Sequence, residues 1–426
     1  MDPATVGLLL SQRGTDLLAA LPPYDESQTL ALSQRLRHQG VDPALAAAAL
    51  TQSRLRARAA DKLGDRAATM LFTQAGLEQA TRAPVAALHA ERFVAAGVRH
   101  VADLTSGLGA DALALADAGL RVTASDLDEA TARIARHNLR DHPGVTVVHG
   151  DGLTLDLARI GADGVFADPA RRTRSGARIF DPRAYEPTLD DVWALRSQVP
   201  AVGIKVGPGV PHHGLPQDAE AEWVSVDGDV VEAGLWFGPL APHGPGRVAT
   251  VLRHGPRGLA RGTFSAAPGE PAEAPFSASD VADLGTYLYE PDGAVIRAGL
   301  VGPLARRADA CLLDPTIAYL TGDGPVPTVD GVPLATAYRV LDVMPFHLKR
   351  LKAYLRERRV GSLTIKKRGT AVVPEELRTR LALSGAASAT IVLTRVAGAQ
   401  QVLVVEPVLG PARTAQDPAP TPQEAR

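Results

Sequence analysis

Cysteine is almost absent from this chain of 426 residues, and Cys311 stands alone. A single thiol excludes an internal disulfide and a cysteine zinc site, so no metal is expected and a reducing cytoplasm is the natural compartment. Aromatic residues are only 4%, while alanine, glycine, proline and arginine are abundant, a bias that reads as the translation of a high-GC genome. An excess of charge of one sign is missing too. The formal net charge is −2, so no global field advertises a polyanionic partner and any nucleic-acid surface must be local. Long apolar runs are lacking: the opening MDPATVGLLLSQRG has an acid at position 2 and one three-leucine run, too little for a signal sequence or a membrane span. The length suggests two or three domains with ample material for a core.

What the chain does contain is one ordered stretch, Val101 to Pro169. An apolar run, His100 to Leu104, ends in Thr105-Ser106-Gly107-Leu108-Gly109, after which Ala112, Leu113 and Ala116 recur at helical spacing. The pattern predicts strand, glycine turn, helix. A second strand, Leu120 to Ser125, ends on Asp126, which lies 17 residues beyond Gly109, near the spacing of a ribose-binding carboxylate. Ala130, Ile134, Ala135 and Leu139 mark the next helix; Val145 to Val148 leads to Gly150-Asp151-Gly152; a fourth strand, Gly164 to Ala167, stops at Asp168-Pro169. Such a succession describes an open parallel sheet with its ligand along the carboxyl edge. The bare pattern fits two ligands. Gly107-x-Gly109-x-x-Ala112 satisfies a dinucleotide fingerprint, but Asp103, Asp126 and Asp151 at three strand ends would repel a pyrophosphate and attract the sulfonium and ammonium of S-adenosylmethionine.

These residues carry a family resemblance. DLTSGLG, SDLD, HGDG and FADPA, in that order, resemble the four motifs of class I S-adenosylmethionine-dependent methyltransferases, over roughly residues 98 to 255. The resemblance implies that Gly107 and Gly109 approach the methionine part, Asp126 holds the ribose and Asp151 faces the adenine amine, with Asp103, Thr105, Leu127 and Gly152 completing the cofactor set. It also places Asp168, at the end of strand four, beside the transferred methyl. Base amine methyltransferases continue this motif with a second proline and an aromatic ring; here Asp168-Pro169-Ala170-Arg171 has neither. Ribose 2′-O methyltransferases instead use a Lys-Asp-Lys-Glu set, for which Asp168, Lys205 in strand five (Ala201 to Val206) and Glu222 or Glu232 occupy comparable positions. Lys62 is the nearest candidate for the leading lysine. In that scheme burial lowers the pKa of Lys205 until it can take the hydroxyl proton. The other reading of Lys205 is a salt bridge to Asp168 that holds the site in shape.

The rest of the chain is read around this centre. Residues 1–85 predict an N-terminal helical domain, with helices at Leu30 to Leu36 and Ala44 to Arg58; a helix from Glu78 to Ala96 leads into the first strand. The cations between Arg54 and Lys62 read as a solvated helix face more than a nucleic-acid contact. After strand four, Arg171, Arg172, Arg174, Arg178 and Arg183 fall within one loop, a candidate phosphate contact together with Pro169. Trp223 to Val226 and Val231 to Phe237 flank an Asp227-Gly228-Asp229 hairpin turn. Residues 86–255 thus form the methyltransferase domain, and residues 256–345 read as a linker and an intermediate segment without assignable chemistry.

Between Phe346 and Thr370 nine cations accompany one acid, so this segment carries +8 and the remainder −10. A helix with Leu348, Leu351 and Leu355 on one face, the LTIKKRG strand, a further helix and the IVLTR hairpin resemble the THUMP-like domain that follows a methyltransferase domain in one bacterial family, over residues 346–407. The resemblance implies RNA as partner, tRNA or rRNA, with Lys366, Lys367 and Arg368 among its contacts. Residues 408–426 read as a disordered tail. The fold expected is therefore α/β, a Rossmann-like methyltransferase sheet with an N-terminal helical domain and a small C-terminal α/β THUMP-like domain. The function expected is methyl transfer to RNA, on a base amine or a ribose hydroxyl. Protein or small-molecule methylation, and a noncatalytic S-adenosylmethionine-binding RNA protein, stand as alternatives.

Overall fold

The computed structural model describes residues 1–170 and 185–408. The expectations for Arg171, Arg172, Arg174, Arg178 and Arg183, and for a tail from residue 409, lie outside the described residues. The chain forms two compact units, Met1–Ala221 with Glu232–Gly246, and Glu222–Val231 with Arg247–Arg426.

The first unit opens with helices α1 (Pro3–Leu10), α2 (Gln12–Ala20), α3 (Thr29–His38), α4 (Pro43–Leu63), α5 (Gln74–Gln79) and α6 (Ala83–Ala95). Strands β1 (His100–Asp103), β2 (Arg121–Asp126), β3 (Val145–His149), β4 (Gly164–Ala167) and β5 (Ala201–Val206) follow, with α7 (Ala110–Asp117) and α8 (Glu129–Asn138) between the first three. Strands β6 (Glu220–Val226), β7 (Asp229–Phe237), β8 (Gly246–Gly255) and β9 (Gly258–Ser265) complete a sheet of order β3-β2-β1-β4-β5-β7-β6-β8-β9. The five leading strands pair in parallel, with Val101 opposite both Val122 and Gly164, and Gly164 opposite Ala201. Their carboxyl ends therefore line up at Asp103, Asp126, Asp151 and Asp168. Strand β7 pairs antiparallel to β5. Asp227 and Gly228 both take positive φ, 52° and 99°, as a two-residue hairpin turn matched to strand twist requires.

The N-terminal helices do not stand apart at residue 85. Val6, Leu9, Leu55 and Phe72 belong to the same buried cluster as Val101, Val122 and Phe166. Two buried amides fasten the leader to this core. Gln52 exchanges both hydrogen bonds with the Phe72 backbone (2.7 and 2.9 Å), and Asn138 bridges Leu71 to the Leu108 carbonyl. The single helix expected from Glu78 to Ala96 is broken between α5 and α6. Pro84, in the first turn of α6, has no N–H to bond the Ala80 carbonyl, so a continuous helix cannot run through it, and the resulting turn presents Thr81.

Two further expectations change in the second unit. The linker expected from residue 256 onward contains β9, because Pro256 and Arg257 are the tip of a hairpin in which His254 faces Leu259. The intermediate segment supplies β10 (Tyr287–Pro291), β11 (Cys311–Asp314), β12 (Ile317–Gly322) and β15 (Ala335–Pro345), besides the short ribbon β13 (Thr328–Val329) and β14 (Val332–Pro333). These join β16 (Val360–Lys367), β17 (Ala387–Val396) and β18 (Ala399–Pro407) in one sheet of order β11-β12-β10-β15-β18-β17-β16. Residues 346–407 are thus part of a larger sheet. Helices Leu348–Glu357 and Pro374–Leu381 cover it through Leu351, Leu355, Leu377 and Leu381.

Candidate functional site

A cavity of about 650 Å³ lies at the carboxyl edge of the parallel strands, within the size range of cofactor sites. Of the residues expected to hold a cofactor, Thr105, Gly107, Asp126, Leu127, Asp151 and Gly152 line it; Asp103 and Gly109 do not. Gly109 instead opens α7 at φ 87° and packs on Leu139. Asp103 is buried at the end of β1, where burial and then the neighbouring Asp111 push its carboxyl well above the usual range. Asp126 accepts from the Gly107 and Asp128 amides (3.1 and 2.9 Å). Gly152 is required by close approach, since a Cβ there would lie 2.4 Å from the Leu104 carbonyl oxygen.

At the end of β4, the Asp168 amide donates to Thr105 Oγ1 (2.6 Å), tying that strand to the first turn. Its side chain lines the cavity and takes a hydrogen bond from Lys205 Nζ at 2.7 Å. Pro169 does not line the cavity, whereas Ala170, Glu186 and Pro187 do. Arg171 and Arg172 lie outside the described residues.

Lys205 sits in a strand buried along its whole length, so an unpaired charge there would be very costly. It donates to Thr81 Oγ1 (2.8 Å) as well as to Asp168, and Glu232 Oε2 is 4.0 Å away. Burial by itself lowers the pKa of this lysine, but the carboxylates of Asp168, Glu232 and Asp111 reverse the shift and raise it above its ordinary value. The expected lowered pKa is therefore corrected: Lys205 is a cation. Of the two glutamates considered, Glu232 is the one beside it; Glu222 accepts from Thr250 (2.5 Å) in the second unit. Lys62 is no member of this set. Its ammonium donates to the Leu77 and Glu78 carbonyls at the end of α5 (2.8 and 2.9 Å).

The sequence reading missed His89, Asp111 and Thr81. His89 Nδ1 is 2.8 Å from Asp111 Oδ1 and Nε2 is 2.6 Å from Glu232 Oε1; Asp111 Oδ2 accepts from Thr81 at 2.5 Å. Burial opposes charge on His89, but Glu232 and Asp111 outweigh it and push its pKa up to about 10. For Asp111 burial acts upward, and His89 and Lys205 hold it below its ordinary value. The one available sequence signal was a histidine and an acid inside apolar helix faces.

The chemistry of the cavity wall separates the two ligands left open by the glycine pattern. Asp111, Asp126, Asp128, Asp151, Asp168 and Glu186 line it, and no Lys, Arg or His does among the described residues. Such a wall disfavours a pyrophosphate and suits a ligand bearing a sulfonium and an ammonium. Ser106 Oγ, buried at the cavity wall, has no hydrogen-bond partner among the described residues, which fits a polar ligand at this edge. Comparison with known proteins agrees. Uncharacterized S-adenosylmethionine-dependent methyltransferases from two strains of Mycobacterium tuberculosis are 34% identical over 374 residues, spanning 84% of this chain and 95% of theirs. The chain belongs to the S-adenosylmethionine-dependent methyltransferases. The crystal structure of a protein assigned as a methyltransferase from Porphyromonas gingivalis shares the fold at a TM-score of 0.68, 22% identity, and 90% and 99% coverage of the two chains. Residues 335–407 match the THUMP domain-like family, and residues 2–59 match a domain of unknown function (DUF8688).

The cationic segment of the methyltransferase is unevenly available. Lys349, Arg350, Arg356, Arg359 and Lys367 are exposed. Lys366 is instead half-buried and bonded to Glu290 at 2.6 Å, because a cation inside a sheet needs a counter-charge. Arg368 lies over the Tyr319 ring, and Arg358 over Tyr354. Of the three expected contacts there, Lys367 remains fully available to a partner.

Proposed function

We propose that this methyltransferase modifies RNA, and that the accepting atom is a nitrogen of a base. The observation that carries the choice of atom is the pairing of Asp168 with a charged Lys205 at 2.7 Å. A hydroxyl must lose its proton to a base as it attacks, and neither a lysine that already carries its proton nor a carboxylate, a weak base toward an alcohol, is suited to take it. An amine attacks through its lone pair, so the site has only to orient the N–H and receive a proton afterwards. Asp168 supplies such an acceptor at the cavity wall. S-adenosylmethionine brings an electrophilic methyl group on a sulfonium. Asp126 would accept from the ribose hydroxyls, the open Gly107 turn would admit the ligand closely, and Asp151 would accept from the adenine amine.

RNA is supported by the THUMP domain-like match and by the exposed cations of the same unit, which suit a phosphate backbone. The test is tritium transfer from labelled S-adenosylmethionine into fractionated RNA, protein and metabolites of a deletion strain, followed by nucleoside analysis. Label on a methylated base is expected. Label on ribose would overturn the choice of atom, and label in protein or metabolites would overturn RNA.

A further inference from the structure

Behind the cofactor cavity, to whose wall it contributes Thr81 and Asp111, the described residues contain a closed circuit of buried polar and charged groups. Lys205 Nζ donates to Thr81 Oγ1, which donates to Asp111 Oδ2; Asp111 Oδ1 faces His89 Nδ1, His89 Nε2 faces Glu232 Oε1, and Glu232 Oε2 returns to Lys205 at 4.0 Å. Ionised carboxylates only accept hydrogen bonds, so a ring held between two of them, at 2.8 and 2.6 Å, must carry a proton on each nitrogen. The imidazole also packs against Phe166 of β4 and Trp236 of β7, with ring centroids 5.1 and 5.4 Å away, and these two rings stack on each other at 6.3 Å. It can neither rotate out nor hydrate, being 2% exposed.

We propose that His89 is a positioning residue for methyl transfer, clamping Glu232 and Asp111 so that Lys205 holds the Asp168 carboxylate at the cavity wall. This inference rests on the reading of Asp168 as the acceptor. The circuit reaches Asp168 through Lys205. Without the clamp, Glu232 has no partner on its His89 side and Lys205 has a second carboxylate free to draw it away from Asp168. A fixed acceptor matters because reacting groups must be held close to one geometry, and a displacement of about 1 Å costs on the order of 100-fold in rate.

Two side chains divide the function of the ring. The amide nitrogen of asparagine can replace Nδ1 toward Asp111, and that of glutamine can replace Nε2 toward Glu232. In His89→Gln the link to Glu232 survives, and methyl incorporation into RNA of the deletion strain should fall about 10-fold. In His89→Asn it is lost, and incorporation should fall roughly 100-fold. S-adenosylhomocysteine affinity by calorimetry should stay within about threefold in both. Equal losses in the two variants, or losses that follow cofactor affinity, would assign His89 a structural role only. The second arm needs neither turnover nor a folded variant: the ¹⁵N spectrum of His89 in the wild-type chain at pH 8 should show both ring nitrogens protonated. A neutral ring would overturn the clamp. If the wild type labels no RNA while that spectrum shows the charged ring, the RNA reading fails and the clamp stands.

Discussion

Asp168 and Lys205 show how much of a residue's chemistry is decided by its neighbours. A lysine buried alone would lose its proton readily and could serve as a base; three carboxylates around it make it a fixed cation. Asp168→Ala should leave S-adenosylhomocysteine affinity within a few-fold and lower turnover by roughly 100-fold, the range for losing a positioned proton acceptor. Full turnover in that variant would place the accepting atom elsewhere on the sheet edge. Lys205→Met keeps the volume of the side chain but leaves Glu232 and Asp168 without their cation, and breaking such a buried pair costs about 3–5 kcal/mol. Urea denaturation measures this loss, and an unchanged midpoint would mean that the pair contributes nothing. Asp126→Ala removes the expected ribose acceptor, and S-adenosylhomocysteine affinity should weaken by about 1–3 kcal/mol.

At the scale of elements, the α5–α6 break gives the leader a place in the site. Pro84 ends the helix expected there, and the turn carries Thr81 to Lys205 and Asp111. Helix α6 then holds His89 on the same face as buried Val85, Ala86 and Phe93. The leader is kept in register by hydrogen bonds remote from the cavity. Gln52→Ala leaves the buried Phe72 amide and carbonyl unpaired, which should destabilise the fold by about 2–6 kcal/mol, taking about 1–3 kcal/mol for each group. Thermal unfolding of the variant tests this, and a midpoint equal to wild type would show that the segment relaxes to other partners.

On the scale of the whole molecule, charge is sorted: an acidic cavity in one unit, and exposed cations in the other. Replacing Lys349, Arg350, Arg356 and Lys367 with Gln should weaken RNA binding and reduce its log-log salt slope by about 0.7 for each phosphate no longer neutralised. An unchanged slope would remove this face from the RNA surface. The buried circuit also ties stability to pH. The pKa of His89 rises from 6.5 to about 10 on folding, so its contribution is complete below about pH 6.5 and declines as pH climbs toward 10. The difference in melting temperature between wild type and His89→Gln should therefore be widest below pH 6.5 and shrink by pH 10. A constant difference across that range would contradict a charged ring in the folded state.

The parallel strands and their acidic ends were legible in the sequence because each is a local signal: a short apolar run, a glycine turn and a carboxylate within a few residues. Asp126, Asp151 and Asp168 needed no distant information, since a parallel sheet sets its strand ends side by side. The segments misread as linker and intermediate were obscured by proline and glycine, which mark hairpin tips in β8–β9 as readily as flexible chain. The state of Lys205 was out of reach from sequence. Its partner Thr81 is 124 residues away, and His89 lies 143 residues from Glu232. Periodicity encodes which face of an element is buried. Which charges meet inside, and hence which protons they keep, is decided only when helices α6 and α7 pack against the sheet.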